Sequence, residues 1–395
     1  MRCCTPFEAV GTVFTSFLIT GCILVGHGFA AEERPAEEKP RIEVVFCLDT
    51  TGSMSGLIAG AKEKIWSIAS TMAMAKPAPD IQIGLVGYRD RGDDYVTKIT
   101  PLTHDLDKVY ADLLEYQADG GGDTPESVNQ ALHEAVHKIE WSKDRKVYRA
   151  IFLVGDCPPH MDYQDDVKYP EICNQANEKR ISINTVQCGN HAATIPIWQE
   201  IARKAEGQYF QVEQSGSSLA ITTPFDGDIV RVNAKLDASR IYYGAADVKK
   251  EQLLRKDVAE ALGKKASEAA SARRAVFNLS ESGALNFYGA NELLNDLEKG
   301  NVKLADIPAD QLPAQMQNMD AAQREAFVTE KIAQRKELRE QLKVLAQQRK
   351  DYIDKHLAKM AAEGAPDESF SKKFSDAFRD KAAGAGMSAP SVPAH

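Results

Sequence analysis

The sequence carries no excess of basic charge. Its 48 Lys and Arg face 57 Asp and Glu, for a formal net charge of −9. Nucleic-acid binding needs a basic face against phosphate, so that class of partner is set aside. Cationic surfaces and metal ions suit the chain better. Cysteine is sparse, with only Cys47, Cys157, Cys173 and Cys188 beyond residue 30. No G-x-G-x-x-G follows the first apolar run, which leaves dinucleotide binding unsupported. No convincing strand pattern occurs after about Thr223. No nucleophile–base pair stands out either, and the chain reads as a non-enzyme.

What is present begins with an uncharged stretch from Val10 to Ala30, followed by the polar run AEERPAEEKPR. Small residues at Gly28 and Ala30 match an export signal cut after Ala30. Ile19-Thr20-Gly21-Cys22 also resembles a lipobox, and the stretch is long enough for an uncleaved anchor. Each alternative places the body outside the cytoplasm, periplasmic or secreted, with membrane anchoring left open. Export permits a disulfide. Cys47, inside an apolar strand, reads as a buried thiol, whereas Cys173 and Cys188 are expected to meet on one edge of the fold.

Residues 31–40 read as a linker rich in Glu, Lys and Pro. From residue 41 to 223, apolar runs alternate with segments of helical spacing. Strands are expected at Ile42–Leu48, Ile81–Tyr88, Tyr95–Ile99, Val147–Val154, Ile181–Val186 and Tyr209–Val212. Helices are expected at Leu57–Ala75, Leu106–Tyr116, Glu126–Ile139, Val167–Lys179 and Ile195–Ala205. Continuous apolar strands separated by helices predict a doubly wound α/β fold with a mostly parallel, Rossmann-like sheet covered on both faces. Residues 224–395 read as a helical C-terminal region. Its longest helix spans 319–362 without a strict apolar heptad, and its tail from Ala382 looks frayed.

Three loops carry the chemistry. Asp49-Thr50-Thr51-Gly52-Ser53-Met54-Ser55 follows the first strand, Gly120-Gly121-Gly122-Asp123-Thr124-Pro125-Glu126 opens a helix, and Gly155-Asp156 ends the strand Ala150–Val154. In an open α/β sheet the binding crevice lies beyond the carboxyl ends of the strands, at the switch point. Carboxylates and hydroxyls are hard donors, suited to Mg²⁺, Mn²⁺ or Ca²⁺ and not to zinc. The i, i+2, i+4 spacing of Asp49, Thr51 and Ser53 lets one loop curl three oxygens round an ion. So few charged donors leave the ion electrophilic, with a position open to an outside carboxylate.

Asp49-x-Thr51-x-Ser53 resembles the Asp-x-Ser/Thr-x-Ser signature of von Willebrand factor A and integrin I domains, their metal-ion-dependent adhesion site. The resemblance covers about residues 40–215 and implies Thr124 and Asp156 as further ligands. Asp123-Thr124-Pro125-Glu126 is also similar to the integrin β-chain form, which adds Glu126 as a reserve. It implies a metal-dependent, protein-binding module whose partner offers an exposed Asp or Glu. The whole chain looks like a group of bacterial exported proteins in which such a domain precedes a helical region. Tyr242-Tyr243-Gly244 and the segment from Asp310 to Arg324 carry that further likeness.

Other motifs compete. His133-Glu134-Ala135-Val136-His137 matches H-E-x-x-H, the pattern of a zinc hydrolase. Both histidines fall off the apolar stripe of Val128, Leu132, Ala135 and Ile139, and no third ligand is evident. Arg91-Gly92-Asp93 reads as part of a charged hairpin turn, with a second cation at Asp90, Asp93 or Asp94 as the lesser reading. A phosphatase of the haloacid dehalogenase type would want an acid–base Asp at position 51, where Thr51 cannot transfer the proton. A structural envelope scaffold that binds through its helical region is the remaining alternative.

Overall fold

The computed structural model describes residues 39–122, 124–213, 221–362 and 370–389. The export signal, the Ala30 cleavage site, Cys22, most of the linker and Asp123 lie outside the described residues. Among those residues no helix is long and apolar enough to cross a membrane.

Six strands form one sheet: β1 (Arg41–Asp49), β2 (Asp80–Tyr88), β3 (Thr97–Thr103), β4 (Tyr148–Gly155), β5 (Ser182–Cys188) and β6 (Tyr209–Val212). Their order is β3-β2-β1-β4-β5-β6. All neighbours are parallel except the β2–β3 hairpin. β1 is continuously apolar from Val44 to Leu48 because both its faces are buried there. Ile42, Val44, Phe46 and Leu48 enter one core, and Val45 and Cys47 the other. The chain winds outward from β1 to β3 and then returns to start β4 on the opposite side. The switch point therefore lies between β1 and β4, as the three-loop argument requires.

Helices α1 (Ser55–Ala73) and α2 (Leu106–Glu115) cover the first face, while α3 (Val128–His137), α4 (Tyr169–Glu178) and α5 (Thr194–Lys204) cover the second. The helical region follows as α6 (Asp226–Ala238), α7 (Ala246–Lys265), α8 (Glu268–Leu279), α9 (Ala284–Tyr288), α10 (Leu293–Glu298), α11 (Ala321–Ala362) and α12 (Phe370–Ala382). It does not stand apart from the sheet. Phe277 of α8 lies 5.7 Å from Trp66 of α1. Phe374 of α12 packs on Phe152 at 4.9 Å, and Phe378 meets Tyr148 edge-on at 5.4 Å. The last helix thus completes the core of the first face, more than 150 residues after β6.

Two expectations are corrected here. Cys173 and Cys188 do not pair: all four described cysteines are free. Cys173 on α4 enters the core of the second face and Cys188 that of the first, so the sheet separates them. The tail is docked as far as residue 389, not frayed. Met387 is buried, and Ser388 exchanges backbone hydrogen bonds with Lys76 at 2.9 and 3.0 Å. α11 keeps no strict apolar heptad, as expected; its buried line is Val328, Arg335, Leu342 and Arg349. Apolar counting misses it because two of the four are arginines. Arg335 pairs with Glu292 and Arg349 with Asp226, at 2.8 and 2.9 Å.

Candidate metal centre

The apolar run Val44–Leu48 of β1 ends at Asp49, where polar residues and Gly52 turn the chain out of the sheet. The Asp49 carboxylate folds back over this turn. Its Oδ1 accepts from the Thr51 amide at 2.9 Å and from Thr51 Oγ1 at 2.7 Å. Thr51 Oγ1 in turn lies 3.3 Å from Ser53 Oγ. Asp49 is 0% exposed, and its Oδ2 has no hydrogen-bond partner.

Strand register brings in Asp156. Leu48 stands opposite Val154, so β1 and β4 end level and Asp49 neighbours Gly155. A Cβ on Gly155 would sit 3.0 Å from Asp49 Oδ2. Asp156 is buried directly beyond, and its carbonyl accepts from Thr194 Oγ1 at 2.8 Å.

The glycine-rich loop is clamped from two sides. Gly52 N–H donates to Gly120 O at 3.2 Å and Asp119 N–H to Thr50 O at 3.1 Å. On the other side, Asp93 of the β2–β3 hairpin accepts from the Gly121 amide at 3.0 Å and the Asp90 amide at 3.1 Å. Gly121 has φ +71, and a Cβ there would come within 2.7 Å of Thr51 Cβ, so glycine is required. The loop then leads to Glu126, 2% exposed, whose backbone bridges to the loop after β4: Glu126 N–H donates to Pro158 O and His160 N–H to Glu126 O, both at 3.0 Å. That bridge sets Thr124 Oγ1 3.6 Å from Cys157 Sγ, next to Asp156 in sequence.

Asp49, Thr51, Ser53, Glu126 and Asp156 therefore gather at one end of the sheet, with Thr124 on the outer rim. Burial pushes Asp49 up to about 7 against the pull of its Thr51 hydrogen bonds, and Asp156 adds to the rise. Burial likewise lifts Glu126 to about 9, helped by Asp49, Asp90, Asp156 and Asp93. The neighbouring charges that act most on either group are negative. Glu126 Oε2, like Asp49 Oδ2, is buried without a hydrogen-bond partner. Desolvated acceptors facing only like charge fit a hard cation. Among the described residues, no three His, Cys, Asp or Glu side chains are disposed to hold a metal by themselves. A cation held here would draw much of its shell from the hydroxyls of Thr51, Ser53 and Thr124.

Sequence reasoning overlooked the web behind these loops. Asp90 receives Ser127 Oγ at 2.7 Å and Tyr163 OH at 3.0 Å, with His160 Nε2 at 3.2 Å. With donors on both Asp90 and Asp93, these two brace the loops. The acidic run Asp90-Arg91-Gly92-Asp93-Asp94 was its visible signal. The same web occupies the Arg-Gly-Asp tripeptide, since Arg91 is tied to Asp165 and Asp166 and Asp93 is turned inward. The H-E-x-x-H helix is also otherwise engaged. His137 Nε2 lies 2.7 Å from Gln175 Oε1, and its Nδ1 3.3 Å from Lys179 Nζ. Glu134 turns to Thr97 and Lys138.

A putative ariadne-like RING finger protein of Acanthamoeba polyphaga mimivirus is 24% identical over 119 residues, 30% of this chain and 11% of that protein. The chain thus spans about a tenth of that relative's length. Among solved structures, the SpRpn10 VWA domain aligns over 45% of this chain and 91% of its own, at 12% identity and TM-score 0.35. Proximal thread matrix protein 1 from the mussel byssus aligns over 44% of this chain and 42% of its own, also at 12% identity and TM-score 0.35. The family profile described as the von Willebrand factor A domain matches residues 43–224, so the chain carries a domain of that kind over this span.

Proposed function

We propose that this A domain binds a partner protein through a divalent cation, Mg²⁺, Mn²⁺ or Ca²⁺, outside the cytoplasm. Asp49, Thr51, Ser53, Thr124 and Asp156 would hold the ion, with Glu126 as a sixth donor or a carboxylate beside it. When bound, the ion supplies a positive anchor for a partner's Asp or Glu side chain. The chain's own residues do the rest. Thr51 orients Asp49, Asp93 holds the glycine-rich loop against Thr51, and the Glu126–Pro158 bridge keeps the second and third loops together. Von Willebrand A domains are generally interaction modules and not enzymes.

One observation carries the reading. Asp49 Oδ2 and Glu126 Oε2 are buried acceptors without hydrogen-bond partners, among further carboxylates. Leaving such atoms uncompensated costs about 1–3 kcal/mol each, more when charged, and a cation offsets that cost. The test is capture of envelope proteins on the immobilised protein. EDTA and Asp49→Ala are each expected to lower capture at least tenfold, while equal capture with and without chelator removes the adhesion claim.

A further inference from the structure

The four loops around this site hold charge out of proportion to their length. Residues 49–54, 89–96, 117–126 and 156–168 account for nearly all of the chain's net −9, with only Arg89, Arg91 and Lys168 against their many acids. All three bases are already spent. Arg89 is buried and donates to Gln117 O at 2.9 Å. Arg91 lies over the Tyr163 ring and is shared between Asp165 and Asp166. Lys168 donates to Tyr163 O. The acids at the rim point outward, with Asp162 71% and Asp165 73% exposed, and Asp94 and Asp119 exposed beside them. Beneath them lie Asp49 and Glu126, each with one buried oxygen lacking a partner.

One divalent ion neutralises only part of this charge. A partner carboxylate must cross the acidic rim to reach the ion, within roughly 8–10 Å of screening in physiological salt. A segment rich in Glu and Asp is repelled over that distance, and one with cationic flanks is drawn in. We infer that the partner presents its metal-binding carboxylate from a basic stretch, with Lys or Arg within a few residues of a single Asp or Glu. This rests on the cation-bridged reading above and adds the class of sequence that the site selects.

The test titrates the full chain, in saturating Mg²⁺, with labelled synthetic peptides. One has a central Asp flanked by lysines, one a central Asp flanked by glutamates, and one a central Asn flanked by lysines. The lysine-flanked Asp peptide is expected to bind at least tenfold tighter than either other. Its advantage over the glutamate peptide should shrink severalfold in 0.5 M NaCl and in the Asp94→Lys/Asp162→Lys double variant. Equal affinity of the two Asp peptides, with binding still abolished by EDTA, overturns this inference and leaves the cation-bridged reading standing. Lysine-flanked Asp and Asn peptides that bind alike with or without EDTA overturn both, because no carboxylate is then being read. Absence of binding by the lysine-flanked Asp peptide at millimolar concentration overturns the inference as well.

Discussion

Asp49 and Glu126 are held above their usual carboxylate range, and that sets the behaviour of the site without its ion. A group whose folded pKa is raised adds stability below its unfolded value and loses it as pH climbs through its folded value. Protein kept in chelator should therefore lose thermal stability from about pH 4 upward, through 7 for Asp49 and 9 for Glu126. Mg²⁺ should restore stability most at the alkaline end, and its affinity should rise with pH, since binding displaces protons. Melting curves at pH 6 and pH 8.5, with and without Mg²⁺, check this; a metal effect that shrinks with rising pH contradicts it. Asp49→Asn is expected to melt no lower than wild type in chelator. It should also lose the Mg²⁺-induced gain, about 2.7 kcal/mol at one hundred times Kd.

At the scale of elements, α12 and α11 behave unlike appendages. Phe374 sits against Phe46 and Phe152, and Phe378 against Tyr148. Truncating either ring to Ala should cost about 3–5 kcal/mol, read from denaturant midpoints at unchanged slope. α11 is fastened by buried ion pairs alongside the apolar contacts of Val328, Leu338, Leu342 and Leu345. Arg349→Ala strands Asp226 in the core and should cost about 3–5 kcal/mol. Replacing both partners with apolar residues of similar volume should cost far less, and the difference measures the charge left behind.

The whole molecule is joined across the boundary between the A domain and the helical region. Arg274 of α8 grips Asp107 of α2 at 2.6 Å and Asp237 of α6 at 2.8 Å, all three buried. Tyr243 and Gly244 donate to the carbonyls of Asn291 and Gln311, which ties together segments that local sequence patterns leave as loops. Deleting residues 226–395 therefore strips a face of the sheet and does not liberate an intact module. Such a variant is expected to bind a hydrophobic dye and to lose near-ultraviolet dichroism, which full-length protein retains. Whether the scaffold reading or the A-domain reading holds is better decided by point variants at Asp49 than by truncation.

Much of the fold could be read from residues alone, because period-2 and period-3.6 patterns report burial directly. The run Ile42–Leu48, the helix between it and Ile81–Tyr88, and the three polar loops marked a parallel sheet and the end where its loops converge. The rest depended on contacts distant in sequence. Local pattern could not show on which side of the sheet Cys173 and Cys188 would fall, nor that Glu126 would be buried among aspartates. It could not show that Asp93 would close on Gly121, or that Phe374 would return to cover Phe46. Buried arginines in α11 defeated apolar counting, since a charge becomes tolerable in a core only when its partner arrives from elsewhere in the chain. Sequence by itself determined which apolar residues had to leave water and where the chain had to turn. Tertiary structure alone decided which buried polar groups met a partner and which were left facing one another, because that depends on side chains brought together from distant segments.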